Sequence, residues 1–137
     1  MSLRVVLLSY RKPDIPPEEF KAHYDGTHVP LMKSLLGPLF PLSHTRRYIQ
    51  RILNTGNSAN LNTQYPATVL SGAQADFGFD AVTEMVFEDQ DTFQKFTAAC
   101  MAPEVAEKVR EDCEKFLDLE RGTPMVVLSG CEVTTRV

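Results

Sequence analysis

The residues best suited to carry chemistry lie in two short segments that have the pattern of strands. His44, Arg46 and Tyr48 alternate along "HTRRY", and Asp80 and Glu84 lie four residues apart in "DAVTE". Because side chains two apart on a strand point to the same side, each set shares one face of its strand. A histidine as base or acid, a carboxylate that fixes its tautomer, an arginine that holds an oxyanion and a tyrosine that donates a hydrogen bond can stabilise an enolate without a cofactor.

The same side chains have a structural interpretation, which the sequence leaves open. The alternating segment is also typical of a solvated edge strand. In that case Asp80 and Glu84 would form cross-strand ion pairs with Arg46 or Arg47. We favour a pocket because two strands carry matching ionisable faces.

A further candidate stretch, "AHYDGTHVPL" at residues 22–31, carries two histidines in a helical segment. His23 and His28 are five apart, which separates them by roughly 140° on an α-helix, whereas helical metal ligands are usually four apart. We therefore predict no shared metal and a solvent-facing His23. His28 lies at the rim of the apolar stripe, where it is either satisfied by a carbonyl or part of a pocket.

These segments, together with Tyr10 at the end of the first strand pattern, give the complete set of predicted site residues. The predicted catalytic residues are His44, Asp80, His28 and Tyr48, and the predicted substrate-binding residues are Arg46, Glu84, Tyr24 and Tyr10.

The elements that must position these residues follow the order βαββαβ. Alternating and β-branched patterns predict strands at 3–10, 44–53, 79–87 and 125–133, and helical patterns run from about 14 to 36 and from about 89 onward, with a break at Pro103. This order is the α+β, ferredoxin-like arrangement, with helices on one face of an antiparallel sheet. Phe20, Tyr24, Thr27, Leu31 and Leu35 form the helical stripe that we expect to pack on the sheet.

The face of the sheet opposite the helices is predicted to pair with a second copy, because a soluble monomer rarely leaves a large apolar patch open. We expect the more apolar face of the third strand, with Thr83 and Met85, to point toward the helices. The polar faces with His44 and Asp80 would then line a cavity enclosed between two sheets.

Length and composition limit the possible partners. The 137 residues are 43% hydrophobic, which is compatible with one globular domain spanning 1–137. A net charge of -4 with scattered Lys and Arg argues against nucleic acid. The first apolar run is too short for a signal peptide or a membrane span, so we expect a cytoplasmic protein without a membrane partner. Residues 54–76 form a long polar connection, which we interpret as a candidate lid.

The segment "YRKPDIPPEEFKAHYDGTHVPLMKSLLGP" resembles the signature of the EthD family, with an arginine-lysine-proline turn after the first strand. The first helix of that signature carries a Phe, a Tyr and a His followed two residues later by Pro, which are Phe20, Tyr24, His28 and Pro30 here. The resemblance continues through "PLSHTRRYIQR" and "FDAVTEMVFEDQDTFQKF", and these segments look closest to fungal members. It implies a dimeric α/β barrel.

The resemblance also implies a range of functions. Family members include cofactor-free decarboxylases and dehydratases of fungal polyketide and pigment pathways, relatives that cyclise polyketides, and accessory proteins of an ether-degrading monooxygenase system. Fold alone does not choose among these. With the ionisable residues above, we expect a lyase without cofactor or metal, a dehydratase or decarboxylase with a cyclase left open, that acts on an aromatic or pre-aromatic polyketide intermediate of secondary metabolism. A non-catalytic binding or accessory protein and a cofactor-free monooxygenase stay open as alternatives.

Overall fold

The computed structural model of the chain describes residues 2–54 and 64–137. The strands are β1 (Leu3–Ser9), β2 (Ser43–Tyr48), β3 (Ala81–Phe87) and β4 (Met125–Leu128), and the α-helices are α1 (Pro17–His23), α2 (Val29–Leu36), α3 (Gln90–Met101) and α4 (Pro103–Cys113). A π-helical turn (Tyr24–His28) joins α1 to α2, and two short 3₁₀ turns span Gly37–Leu39 and Gln74–Phe77. No helix within the described ranges is long and apolar enough to cross a membrane.

The four strands form one antiparallel sheet in the order β2-β3-β1-β4. Val5 lies opposite Met85 in the β1–β3 pair, and Val127 lies opposite Val5 in the β1–β4 pair. This order and direction confirm the predicted α+β, ferredoxin-like fold. Two strands end earlier than predicted. Strand β2 ends at Tyr48 and not at residue 53, and β4 ends at Leu128 and not at residue 133.

The main core lies between the helices and the face of the sheet that carries the odd-numbered residues of β1 and β3. Burial alternates along both strands, and Val5, Thr83 and Phe87 are fully buried. Phe96 of α3 and Leu36 of α2 pack against this face. The sequence had predicted that this face of β3 points toward the helices, and the burial pattern confirms it.

Strand β2 turns its ionisable residues toward the helices, not toward the open face as predicted. In the β2–β3 register His44 lies opposite Met85, Arg46 opposite Thr83 and Tyr48 opposite Ala81. Directly opposed residues of an antiparallel pair share a face, so these three side chains are on the side that the helices cover. The prediction of a polar cavity on the open face is therefore wrong.

The first helical segment contains one residue more than the sequence pattern assumed, in the single π-helical turn Tyr24–His28. The N–H of Val29 donates to the carbonyl oxygen of Tyr24, five residues earlier, and Pro30 has no N–H with which to close the next α-helical turn. The extra residue shifts the buried stripe by one position. After Tyr24 the stripe continues through His28, Met32 and Leu36 instead of the predicted Thr27, Leu31 and Leu35.

The predicted lid over residues 54–76 falls partly on 55–63, which lie outside the described residues. Its later part turns back onto the chain near the end of β2. Arg51 and Ala67 form an isolated β-bridge, and the Arg51 guanidinium donates to the carbonyl oxygen of Tyr65.

Candidate functional site

A cavity of about 430 Å³ lies between the helix-facing side of the sheet and the helices, within a single copy of the chain. Its lining comes from the sheet (Leu7, Ser9, His44, Met85, Met125), the first helical segment (Tyr24, His28, Met32), α3 (Phe93, Phe96, Thr97, Cys100, Met101), α4 (Val109, Cys113) and adjoining segments (Phe40, Pro41, Phe116, Leu117, Thr123). Met101 and Met125 are exposed, so the cavity reaches the surface between the end of α3 and the start of β4. None of the described residues of 54–76 lines it.

His28 and His23 both donate a hydrogen bond to the buried carboxylate of Asp112 on α4. His28 Nδ1 lies 2.8 Å from Asp112 Oδ2, and His23 Nε2 lies 2.9 Å from Oδ1. The π-helical turn explains this convergence, because its extra residue brings positions five apart to the same side of the helix. The prediction of a solvent-facing His23 is therefore wrong.

The contact with Asp112 determines which nitrogen of His28 can react. A carboxylate only accepts hydrogen bonds, so Nδ1 carries the proton and the neutral ring keeps its lone pair on Nε2. Burial lowers the pKa of His28, against the raising effect of Asp112 and with a further lowering by His23. His28 lines the cavity, so it offers a neutral imidazole held in one tautomer.

His44 is held in the opposite tautomer by Arg46. The guanidinium NH1 of Arg46 donates to His44 Nδ1 over 2.8 Å, and because arginine has no acceptor, the proton of neutral His44 must be on Nε2. Burial and the charges of Arg46 and His28 lower the pKa of His44 to about 4. His44 is therefore a neutral hydrogen-bond donor at pH 7 and a weak base.

Asp25 fixes Arg46 in turn. Its Oδ1 accepts a hydrogen bond from Arg46 Nε at 2.7 Å and another from the Tyr48 hydroxyl, while Lys21 donates to Oδ2. Partial burial opposes ionisation of Asp25, but these donors lower its pKa to about 2. Neither Arg46 nor Tyr48 lines the cavity. Arg46 contacts His44 directly, and Tyr48 contacts Asp25, which holds Arg46.

Tyr24 separates the two cavity histidines. Its ring centroid lies 5.7 Å from that of His28 and 5.9 Å from that of His44, with both pairs edge to face. The hydroxyl forms a buried 2.8 Å hydrogen bond with Thr83 Oγ1. Burial raises the pKa of Tyr24, so it stays a phenol.

Asp80 does not contact His44, and the predicted pairing is wrong. One of its carboxylate oxygens accepts from the Arg11 backbone N–H at 3.0 Å, and the other accepts from Arg11 Nε at 3.1 Å. Arg51 Nε lies 2.7 Å from the latter oxygen without the alignment of a hydrogen bond. Two buried guanidinium groups thus surround Asp80. This makes Asp80 part of the structural framework immediately before the start of β3.

Two other predicted site residues also lie away from the cavity. Glu84 is on the open face of the sheet, where Arg4 NH1 donates to it over 2.7 Å. Tyr10 packs edge to face on Phe79, and the guanidinium carbon of Arg121 lies 4.0 Å from its ring centroid. Of the eight predicted site residues, only His28, His44 and Tyr24 line the cavity.

Sequence reasoning missed Asp112, although its position carried a signal. An apolar stripe along α4 and the turn that follows it is formed by Val105, Val109 and Phe116. Asp112 falls on that stripe by helical spacing. A carboxylate on a buried helix face needs a hydrogen-bonding partner. That requirement points to a donor from another element, which here is supplied by the two histidines. The described residues hold no group of three or more His, Cys, Asp or Glu arranged to bind a metal.

Comparison with known proteins gives one family. The EthD domain model matches residues 12–120, and no curated protein matches the chain. An EthD family protein from Bacillus halodurans shares 18% identity at a TM-score of 0.52, covering 96% of this chain and all of its own. A protein from Arabidopsis thaliana shares 15% identity at a TM-score of 0.55, with 97% and 99% covered.

A third solved structure is SnoaB from Streptomyces nogalater, described as a cofactor-independent oxygenase. It shares 11% identity at a TM-score of 0.48, covering 96% of this chain and 95% of its own. Identities this low describe the fold and carry no argument about activity. The family model spans most of the chain and includes His28, His44 and Asp112. The chain therefore belongs to the EthD domain family.

Proposed function

We propose that this protein is a cofactor-independent lyase that removes water or carbon dioxide from an aromatic or pre-aromatic polyketide intermediate of secondary metabolism. The observation that carries the proposal is a pair of histidines that line one cavity and are held in opposite tautomers. His28, hydrogen-bonded to Asp112, offers a lone pair, and His44, hydrogen-bonded to Arg46, offers an N–H hydrogen-bond donor. Neighbouring groups held in different states are typical of acid–base sites.

The two histidines have complementary roles in this proposal. His28 Nε2 is the general base that takes a proton from a carbon next to a carbonyl group. His44 Nε2–H donates a hydrogen bond to the carbonyl oxygen as it becomes an enolate oxygen, which lowers the barrier because charge develops at that atom. The Asp112 carboxylate stabilises the imidazolium that forms at His28. Arg46 and Asp25 act as positioning residues behind His44.

The apolar lining supports an aromatic substrate. Phe40, Phe93, Phe96 and Phe116 contribute rings to the cavity wall, and a volume of about 430 Å³ falls in the roughly 300–1,000 Å³ range of pockets for drug-sized ligands. The same apolar lining favours the second candidate, a binding protein or oxygenase accessory protein that holds a ligand without converting it. A cofactor-free monooxygenase is the third candidate.

The test is turnover of a panel of polycyclic β-hydroxy ketones and β-keto acids by wild-type protein, in air and under nitrogen. A lyase works equally in both atmospheres, a monooxygenase requires oxygen, and a binding protein gives saturable binding without product. We expect His28→Gln and His44→Gln each to reduce turnover by a factor of about 10² to 10⁴. His23→Gln, which changes a residue outside the cavity on the same carboxylate, should cause a much smaller loss.

We also propose that the active form is a homodimer, located in the cytoplasm and built from one domain per chain. The open face of the sheet carries Val6, Leu8, Val82 and Val86, and Val126 beside them is 58% exposed. The Arg4–Glu84 ion pair interrupts this apolar face, and an exposed face that is otherwise apolar favours an isologous contact with a second copy.

Sedimentation equilibrium tests the dimer. Val82→Lys places a charge in the middle of the open face and should shift the protein to monomer. Leu70→Lys is the matched control, because Leu70 is 96% exposed outside the sheet. A wild-type monomer at micromolar concentration would contradict the proposal.

A further inference from the structure

We infer that the substrate of the cavity is an electrically neutral β-hydroxy ketone and that the group removed is water, not carbon dioxide. The inference rests on the lyase function proposed above and chooses between its two reactions. It depends on the charges of the cavity wall and on the kind of proton transfer that the two histidines permit.

The described wall of the cavity contains no Lys, Arg, Asp or Glu side chain. Its ionisable members are two histidines, two cysteines and one tyrosine. Burial lowers the pKa of His44 to about 4 and raises the pKa of Cys113 to about 11. Burial also raises the pKa values of Cys100 and Tyr24. At pH 7 the wall is therefore uncharged.

The charges behind the wall do not change this conclusion. The guanidinium of Arg46 contacts the wall residue His44, and its Nε and NH1 already donate to Asp25 and His44. The charge in contact with His28 is the carboxylate of Asp112, which is 4% exposed. A substrate carboxylate in the cavity would lose its hydration without gaining a cation, and it would lie in the field of a buried negative charge. Both effects oppose binding of an anion.

The arrangement of protons also favours elimination of water. Loss of carbon dioxide from a β-keto carboxylate needs no base, because the electron pair of the breaking bond stays on carbon; it needs an acid to protonate that carbon afterwards. Neutral His28, with its proton committed to Asp112, is a base and not an acid at the start of the reaction.

Elimination of water uses His28 twice. His28 Nε2 takes the proton from the carbon next to the carbonyl group, and the electron pair of that bond forms an enolate whose oxygen accepts a hydrogen bond from His44. The imidazolium then gives the proton to the β-hydroxyl group. The enolate electrons form the carbon–carbon double bond, the carbon–oxygen bond breaks and water leaves. His28 returns to its starting state, and no electrons are gained or lost overall.

A binding experiment with an isosteric pair tests the charge argument. The probes are 2-acetyl-1-naphthol, which is neutral, and 1-hydroxy-2-naphthoate, which is an anion of nearly the same shape. We expect calorimetry at pH 8 to give at least tenfold weaker binding for the anion. Equal or tighter binding of the anion would overturn the inference.

A turnover experiment with a common product tests the reaction. Loss of water from 3-hydroxy-1-tetralone and loss of carbon dioxide from 1-hydroxy-2-naphthoate both give 1-naphthol, which is followed by its fluorescence. We expect 1-naphthol from the tetralone alone, with activity lost in His28→Gln and kept in Glu111→Gln, which changes an exposed residue on α4. Product from the naphthoate with equimolar carbon dioxide would overturn the inference and leave the proposed lyase function intact. Binding of both probes without product from either would refute the lyase function itself.

Discussion

Acid should destabilise this protein through His44, and the size of the effect follows from its surroundings. The charged and titratable groups near His44 are Arg46, Asp25, His28 and Tyr24. Burial, together with the positive charges, lowers the pKa of His44 to about 4 from 6.5. At pH 7 the His44 side chain is largely neutral in both the folded and the unfolded chain, so its titration contributes almost nothing to the free energy of unfolding. As the pH falls below 6.5, His44 becomes protonated in the unfolded chain but stays neutral in the folded chain. Stability is therefore lost, by about 2 kcal/mol at pH 5 and about 3 kcal/mol at pH 4.

Urea unfolding of wild type and His44→Gln at pH 7, 5 and 4 measures this contribution. Glutamine does not titrate, so the difference in unfolding free energy between the two proteins should move in favour of the variant by about 2 kcal/mol between pH 7 and pH 5. His23→Gln serves as the control for loss of a histidine. Parallel curves for wild type and His44→Gln, or a midpoint near 6.5 in the NMR titration of His44, would refute the reasoning.

Three further outcomes are expected. Arg46→Gln should raise the pKa of His44 in an NMR titration, because a nearby positive charge is removed; an unchanged value would contradict the contact. Asp112→Asn leaves one acceptor for two histidine donors, so it should destabilise the fold by about 1.5–3 kcal/mol and change one histidine tautomer in a ¹H–¹⁵N spectrum. Asp80→Asn should lower the free energy of unfolding in urea by about 3–5 kcal/mol, because two buried guanidinium groups lose their counter-charge. Glu84→Gln, which removes one partner of a more exposed ion pair, should lower it by less than about 1 kcal/mol. Similar losses for the two variants would contradict the difference in burial between the two ion pairs.

The fold could be predicted from the sequence because its signals are local and agree with one another. The alternation in "AVTEMVF", the short strand before the RKPD turn and the helix after Asp89 each specify one element, and the element order leaves few topologies. Asp89 accepts a hydrogen bond from the Thr92 backbone N–H at the start of α3, as a helix cap does.

The site was predicted only in part because it depends on contacts between distant segments. His44 and His28 were identified, but the face on which His44 lies is set by the register of β2 against β3, which places His44 with Met85 and not on the face of Glu84. The partner of His28 lies 84 positions away at Asp112. Nothing in the spacing of "HTRRY" distinguishes a helix-covered face from an open one.

The π-helical turn has a consequence for anyone who aligns this helix with that of a relative. An additional amino acid in an ordinary α-helix would rotate everything downstream by about 100°, whereas a π-helical turn absorbs it and lets both ends keep their places. Removing Gly26, for example, should leave a helix of ordinary pitch in which the two histidines are four apart and still face the same carboxylate. Numbering the present sequence by α-helical periodicity alone would assign the reactive position to Thr27, which is exposed and does not line the cavity.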